Sequence, residues 1–207
     1  MTVCVFNPSK NELWADTTCM AGGYYTGHVN KISQRESSFY IHTLAVAGTS
    51  WLCTAVEKIL MMELGRANVM NLDHITMQNK ITKILGTVPS IDGEQDAFDA
   101  LLIEYNKDNG TTRVYKFNNT MFPFELKPFG DKLICIGQYE LCTAVSLAYD
   151  VHMTNADLVE FKDVTIGKMI NRLSKYSANV SPDTHAMCYN TNNTLGTAIY
   201  VPLEDVL

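Results

Sequence analysis

The sequence predicts an α+β fold in which two mainly antiparallel sheets pack together and helices cover them on the outside, a four-layer sandwich. Short apolar segments rich in β-branched residues follow one another through tight turns, which indicates antiparallel strands. Helical spacing of apolar residues occurs in two separate blocks, each after a strand that ends in glycine. No linker or repeat divides the 207 residues, so we expect one domain over residues 1–207.

The first block of strands begins at the chain terminus. Residues 2–6 and 12–16 are apolar segments around the turn cluster at residues 7–11, and they predict a β-hairpin. Paired glycines at 22 and 23 mark a loop. We expect a further short strand at residues 29–32 and a long one at residues 38–47.

The helices and the remaining strands follow in the same way. Apolar residues at intervals of three and four predict a helix over residues 50–66, capped by Thr49 or Ser50. The turn Asn109-Gly110 between two apolar segments is typical of a hairpin. The other expected elements are helices at 75–85, at 141–149 and from Thr154 to about residue 175, and strands at 98–105, 111–117, 133–136, 184–189 and 197–201.

The composition excludes several classes of function. The net charge is −6, from 16 basic and 22 acidic residues without a basic cluster, so we expect no nucleic-acid partner. No basic segment followed by an apolar run begins the chain, and no 18 apolar residues are consecutive. We therefore expect neither a signal peptide nor a membrane partner, and a cytoplasmic location. Charged residues make up 18%, below the usual ~25%, which leaves neutral surface for subunit contacts.

The cysteines and histidines do not show the spacing of a metal site. Six cysteines are scattered without a CxxC pair, and most have apolar neighbours, as reduced thiols in a core do. We expect no metal and no cofactor.

Thr2 is the residue that points most directly to a catalytic reaction. If Met1 is removed, Thr2 carries a hydroxyl and a free α-amine whose ordinary pKa of about 7.7–8.0 leaves part of it unprotonated near neutral pH. The amine can take the hydroxyl proton directly or through one water, so one residue supplies both nucleophile and base. Thr is also a common second residue, so Thr2 alone does not predict a catalytic site.

Three further residues strengthen this interpretation. Asp16 ends the second expected strand, and Lys31 lies within the apolar segment expected as the strand 29–32. A lysine near Thr2 favours the neutral amine and the alkoxide through its positive charge, and Asp16 can orient it. Gly48 stands between a strand and a helix, where a backbone N–H can stabilise an oxyanion. The alternative is that Asp16 and Lys31 form an ordinary surface ion pair and that Gly48 is there only because the turn needs a glycine.

Together these residues resemble the proteasome β-subunit and HslV-type peptidase family of N-terminal-nucleophile (Ntn) hydrolases. The resemblance is carried, in order, by the segments TVCVF, LWAD, NKI and AVAGTSWLCTAVEKIL, which match the family's nucleophile, aspartate, lysine and oxyanion-hole motifs. It implies that Thr2 is the nucleophile, Asp16 the conserved aspartate, Lys31 the catalytic lysine and Gly48 the oxyanion-hole glycine. It also implies a homo-oligomeric ring or similar multimer, a polypeptide substrate and an ATP-dependent unfoldase as partner.

The sequence departs from the family pattern around the terminal amine. Gly137-Gln138-Tyr139 replaces the G-S-G motif, so the serine that supports the amine is missing. The partner aspartate has no clear match, although Asn179 with Ser181, or Asp183 with Thr184, are candidates. A threonine endopeptidase, a catalytically inactive structural or interaction subunit, and an Ntn amidohydrolase acting on a small amide are the three alternatives.

Overall fold

The computed structural model describes residues 2–21, 24–66, 74–86, 98–118, 124–126, 132–155, 165–175, 184–188 and 198–201. In chain order the elements are β1 (Val3–Asn7), β2 (Glu12–Asp16), β3 (Thr18–Ala21), β4 (Tyr24–His28), β5 (Ile32–Glu36), β6 (Tyr40–Gly48), α1 (Ser50–Arg66), α2 (His74–Leu85), β7 (Phe98–Asn106), β8 (Thr112–Asn118), β9 (Phe124–Leu126), β10 (Ile134–Gly137), α3 (Tyr139–Thr154), α4 (Ile166–Ser174), β11 (Thr184–Cys188) and β12 (Ala198–Val201).

The chain divides into two compact units. Unit 1 consists of Met1–Lys31 with Pro128–Leu207, and unit 2 is Ile32–Lys127. Among the described residues, each contains a five-stranded antiparallel sheet and two helices, and unit 1 also contains the two-stranded sheet β3-β4. The predicted α+β fold class is thereby confirmed. The expectation of a single domain over residues 1–207 stays a prediction.

The sheet of unit 1 places the start of the chain in its interior, beside the central strand β2. Its strand order is β10-β1-β2-β11-β12, so β1 has a partner on both sides. The apolar side chains of α3 and α4 pack on one face of this sheet. That core consists of Val3, Val5 and Trp14 from the strands and Leu141, Val145, Tyr149, Ile166, Met169 and Ile170 from the helices. Burial of these side chains, at roughly 25 cal/mol per Å² of apolar surface, fixes β1 in position.

The sheet of unit 2 has the strand order β5-β6-β7-β8-β9 and carries α1 and α2. The expected periodicity of α1 is confirmed, because Leu52, Val56, Leu60 and Leu64 are all buried against the sheet. Gly110 has a φ of 69° in the hairpin between β7 and β8, which explains the Asn-Gly turn.

Two expectations about local structure are wrong. The strand expected at 29–32 begins only at Ile32, because the Val29 N–H donates to the Thr17 carbonyl, outside any strand ladder, at 2.8 Å. Thr154 does not start a helix. It ends α3, and its hydroxyl donates to the Asp150 carbonyl at 2.8 Å, as a threonine within a helix commonly does. Helix α4 is capped instead by Thr165, whose side chain accepts from the Lys168 N–H.

Three short strands, β3, β4 and β9, were not expected from the sequence. The Gly22-Gly23 loop and the candidate amine partners Asn179, Ser181 and Asp183 lie outside the described residues. Among the helices that the structure describes, none is long and apolar enough to cross a membrane.

Candidate functional site

Asp16 is the centre of a buried polar cluster at the end of β2. Its side chain has no exposed surface. One carboxylate oxygen, Oδ1, accepts the backbone N–H of Val3 at 2.9 Å. The other, Oδ2, accepts the backbone N–H of Thr18 at 3.1 Å and the ammonium of Lys31 at 2.9 Å. Three donors offset the desolvation of this buried carboxylate and fix its orientation.

Lys31 is buried with it. The side chain is 7% exposed, and its Nζ lies 2.9 Å from Asp16 Oδ2. The expectation that Lys31 lies inside a strand is wrong, since it immediately precedes β5. The expected pairing of Lys31 with Asp16 is present, as a buried ion pair and not as a surface pair. Breaking a buried pair by removing one partner costs about 3–5 kcal/mol, far more than a surface pair contributes.

The peptide group that follows Thr2 is held by hydrogen bonds at both its carbonyl and its N–H. Thr2 itself is 6% exposed. Its carbonyl accepts the backbone N–H of Gln138 at 3.0 Å, and the next amide, Val3 N–H, donates to Asp16. Asp16 therefore binds both the Lys31 ammonium and the amide that directly follows Thr2.

Gly137 allows β10 to approach Thr2. It pairs with Val3 and has a φ of 111°, a conformation that L side chains rarely adopt. A Cβ atom on Gly137 would overlap the carbonyl oxygen of Thr2. Only glycine fits here without displacing the start of the chain.

Helix α3 begins beside Thr2. Its N-cap residue is Gln138, which bonds to the Thr2 carbonyl and whose side chain makes no capping bond. The unsatisfied N–H groups at a helix N-terminus carry a partial positive charge of about half an elementary charge. The sequence analysis treated Gly137 and Gln138 only as a departure from the G-S-G motif and did not foresee their backbone contacts with Thr2, although a glycine between a strand and a helix was the signal that drew attention to Gly48.

Gly48 lies in unit 2, at the end of β6 and before α1, with a φ of 136°. Thr2, Asp16 and Lys31 all belong to unit 1. The structure thus brings together three of the four expected site residues, and the oxyanion role of Gly48 stays a prediction.

Chemically, the cluster in unit 1 joins a buried ammonium to the backbone that follows a hydroxyl residue. Asp16 accepts the Lys31 ammonium through one oxygen and the Val3 N–H through the other, and the N-terminus of α3 adds a partial positive charge where the Gln138 N–H meets the Thr2 carbonyl. Among the described residues, no group of three or more His, Cys, Asp or Glu side chains is arranged to hold a metal ion.

Comparison with known proteins finds similarity in structure only. No family model and no curated protein matches the sequence. A mutant of Anbu from Hyphomicrobium sp. strain MC1 superposes with a TM-score of 0.71 at 14% identity, covering 100% of this chain and 91% of that one. Anbu (ancestral β-subunit) from Yersinia bercovieri gives 0.70 at 12% identity, with coverages of 97% and 87%.

A third similar structure is described as a helical assembly of the Anbu complex from Pseudomonas aeruginosa. It has a TM-score of 0.68 and 10% identity, and covers 97% of this chain and 86% of the other. At such identities the likeness shows the fold alone, which this chain shares with the Anbu structures.

These neighbours correct the family resemblance drawn from the sequence. The assignment to proteasome β-subunits and HslV-type peptidases is wrong, since the similar structures are Anbu proteins, which are proteasome-like but form a distinct family.

Proposed function

We propose that the chain is a threonine-type peptidase that cleaves peptide bonds with Thr2 as its N-terminal nucleophile, after removal of Met1 and within a multimer. The observation that carries the proposal is the Asp16 carboxylate, which binds the Lys31 ammonium through Oδ2 and the amide following Thr2 through Oδ1. Through Asp16, the buried ammonium of Lys31 is connected by hydrogen bonds to the backbone directly after the proposed nucleophile.

In the proposed reaction the Thr2 α-amine takes the proton from Thr2 Oγ, directly or through one water. Oγ attacks the peptide carbonyl carbon, and the resulting tetrahedral intermediate expels the amine product, which receives that proton. An ester between Thr2 and the acyl half of the substrate remains. Water, deprotonated by the same α-amine, hydrolyses this ester and restores the hydroxyl.

The positive charge of Lys31 and of the α3 N-terminus supports Thr2 in its two proposed roles, as nucleophile and as base. Lys31 and the N-terminus of α3 disfavour protonation of the terminal amine, so that a larger fraction acts as base at neutral pH. Asp16 holds Lys31 in one orientation. In this proposal Gly48 contributes its N–H to stabilise the oxyanion. An ATP-dependent unfoldase partner stays a prediction.

A second candidate is a catalytically inactive structural subunit with the same fold. The observation favouring it is that Gln138, not serine, follows Gly137 at the start of α3. Both candidate functions require that several copies of the chain associate. Leu147 and Val151, one turn apart on α3, are 60% and 53% exposed and provide apolar surface for a subunit contact. The helical assembly described for the Pseudomonas aeruginosa Anbu complex supports such an oligomer.

Substitution of Thr2 separates the candidates. We expect Thr2→Ala to lower the turnover of an unstructured protein substrate such as casein by about a thousandfold or more, because the nucleophile is lost. Thr2→Ser, which keeps a hydroxyl, should retain part of the activity. The intact mass of each protein establishes whether Met1 is absent. A Thr2→Ala variant as active as the wild type would rule out the peptidase mechanism, and the absence of turnover in wild-type protein lacking Met1 would favour the structural subunit.

A further inference from the structure

Two partly exposed cysteines lie on neighbouring elements of unit 1, where β10 leads into α3. Cys135 of β10 and Cys142 of α3 are both reduced and partly exposed, whereas Cys4 and Cys53 are buried. Both partly exposed side chains pack against the core of unit 1. A small oxidant in solution therefore reaches this pair more readily than it reaches the buried thiols.

A direct contact joins the two elements at Cys135. Its sulfur lies 3.6 Å from the hydroxyl oxygen of Ser146 on α3. The Cys135 side chain thus points at α3, on the side of the helix that carries Ser146. Cys142 is one turn earlier on that same side, since residues four apart on a helix are neighbours, about 5–6 Å apart at their Cβ atoms.

Distances along the two elements place Cys142 on the other side of this contact. The bond to Ser146 shows that α3 runs back alongside β10, and Gln138 alone separates the two elements. Cys135 precedes Gln138 by about 10 Å along the strand, at ~3.3 Å per residue. Cys142 and Ser146 follow Gln138 by about 6 Å and 12 Å along the helix, at ~1.5 Å per residue. Cys135 is therefore level with the helix surface between Cys142 and Ser146.

We propose that Cys135 and Cys142 are a redox-sensitive pair, which a hydroperoxide converts to an intramolecular disulfide. One thiolate attacks a peroxide oxygen, the O–O bond breaks, and a sulfenic acid forms while the other oxygen leaves as water or an alcohol. The second thiolate attacks the sulfenic sulfur, and hydroxide leaves and is protonated to water. The two thiols together lose two electrons, which the peroxide accepts, and a dithiol reductant reverses the change.

The disulfide closes a loop that contains the residues in contact with Thr2. The Gln138 N–H donates to the Thr2 carbonyl at 3.0 Å, and Gly137 pairs with Val3. An added Cβ at Gly137 would overlap the Thr2 carbonyl oxygen, so β10 has no free space on this side. A displacement of β10 therefore moves the backbone of Thr2. This effect on turnover rests on the proposed function, whereas the formation of the disulfide does not.

The test uses the full chain, reduced with dithiothreitol, separated from it and treated with hydrogen peroxide. Remaining thiols are alkylated, and digestion with trypsin and Glu-C protease yields the peptides 133–140 and 141–160, which contain one of the two cysteines each. We expect mass spectrometry to find these peptides joined, with two hydrogens fewer than their sum, and dithiothreitol to release them.

Two variants and one internal standard make this measurement specific. Cys142→Ser should remove the joined peptides and leave Cys135 as a sulfenic acid that dimedone labels. Cys53→Ser, at a buried cysteine of unit 2, should leave the yield unchanged. Cys19 is also partly exposed and calibrates the peroxide dose. Separate peptides of Cys135 and Cys142 at a dose that oxidises Cys19, or a disulfide of either one with Cys19, would overturn the proposal.

Turnover of casein provides the second measurement. We expect formation of the disulfide to lower turnover by about tenfold, and dithiothreitol to restore it. The double variant Cys135→Ser/Cys142→Ser should keep its turnover under the same treatment. Melting temperatures verify that each variant is folded.

The outcomes distinguish this inference from the proposed function. A disulfide in wild-type protein that lacks Met1 and has no turnover would keep the redox pair and remove the peptidase. An active protein that forms no disulfide would overturn the redox pair and keep the peptidase. A disulfide that leaves turnover unchanged would overturn its effect on Thr2.

Discussion

At the scale of single residues, the decisive feature is the buried charge pair of Asp16 and Lys31. The two side chains are 0% and 7% exposed, and their charged atoms lie 2.9 Å apart. An exposed pair of the same length, Glu36 and Lys107, offers a matched control because its side chains are 42% and 22% exposed. The pairs differ chiefly in burial.

We predict that Asp16→Asn and Lys31→Met each reduce the free energy of unfolding by about 3–5 kcal/mol, because each leaves one buried charge without its partner. The double variant should lose clearly less than the sum of the two. The equivalent cycle at Glu36 and Lys107 should give a coupling of no more than about 1 kcal/mol. Urea unfolding measures all of these values. Equal coupling energies for the two pairs would contradict the prediction that burial makes the Asp16–Lys31 pair the more strongly coupled one.

At the scale of elements, the approach of β10 and α3 to the chain terminus depends on Gly137. A Cβ at this position would overlap the Thr2 carbonyl oxygen. Gly110 is the matched control, since its φ of 69° is also positive but a Cβ there would meet its nearest neighbour only at 3.8 Å.

We predict that Gly110→Ala costs about 1–2 kcal/mol of stability from backbone strain alone. Gly137→Ala adds the steric overlap to a similar strain, so its cost should be clearly larger and any Thr2-dependent activity should be lost. Thermal unfolding of both variants provides the comparison. Equal losses would mean that β10 does not hold the terminus closely.

The elements also show how far sequence reasoning reaches. Helix α1 and the strand pairs β1–β2 and β7–β8 were predictable, because local periodicity and turn residues determine them. Strands β3 and β4 were not, since these segments of four and five residues are too short to show a clear alternation of apolar and polar residues. Thr154 and Thr165 are both suitable caps, and only the packing of α3 and α4 decides between them.

The candidate site was predictable only in part. Asp16 and Lys31 stand 15 positions apart in sequence, and their pairing was expected from motif order. Gln138 follows Thr2 by more than a hundred residues and reaches it through the β1–β10 ladder. No local pattern encodes that long-range pairing. Only the structure shows that the side-chain oxygen of Gln138 is buried.

At the scale of the whole molecule, the proposed function requires association of subunits. Leu147 and Val151 expose apolar surface on α3. We predict that Leu147→Glu reduces the mass of the particle measured by light scattering toward that of one 23.1 kDa chain. Lys58→Glu, at an exposed position of α1, adds more negative charge than Leu147→Glu does and should still leave the mass unchanged. A wild-type protein that is strictly monomeric would contradict the multimer.

The central claim is that the Thr2 hydroxyl is the nucleophile, and covalent trapping tests it most directly. The chain lacking Met1 is treated with a β-lactone, which acylates an activated hydroxyl, and the adduct is located by tandem mass spectrometry. The account predicts one acyl group per chain on Thr2, and none on the Thr2→Ala variant. Acylation confined to cysteine thiols, or equal labelling of wild type and Thr2→Ala, would contradict it.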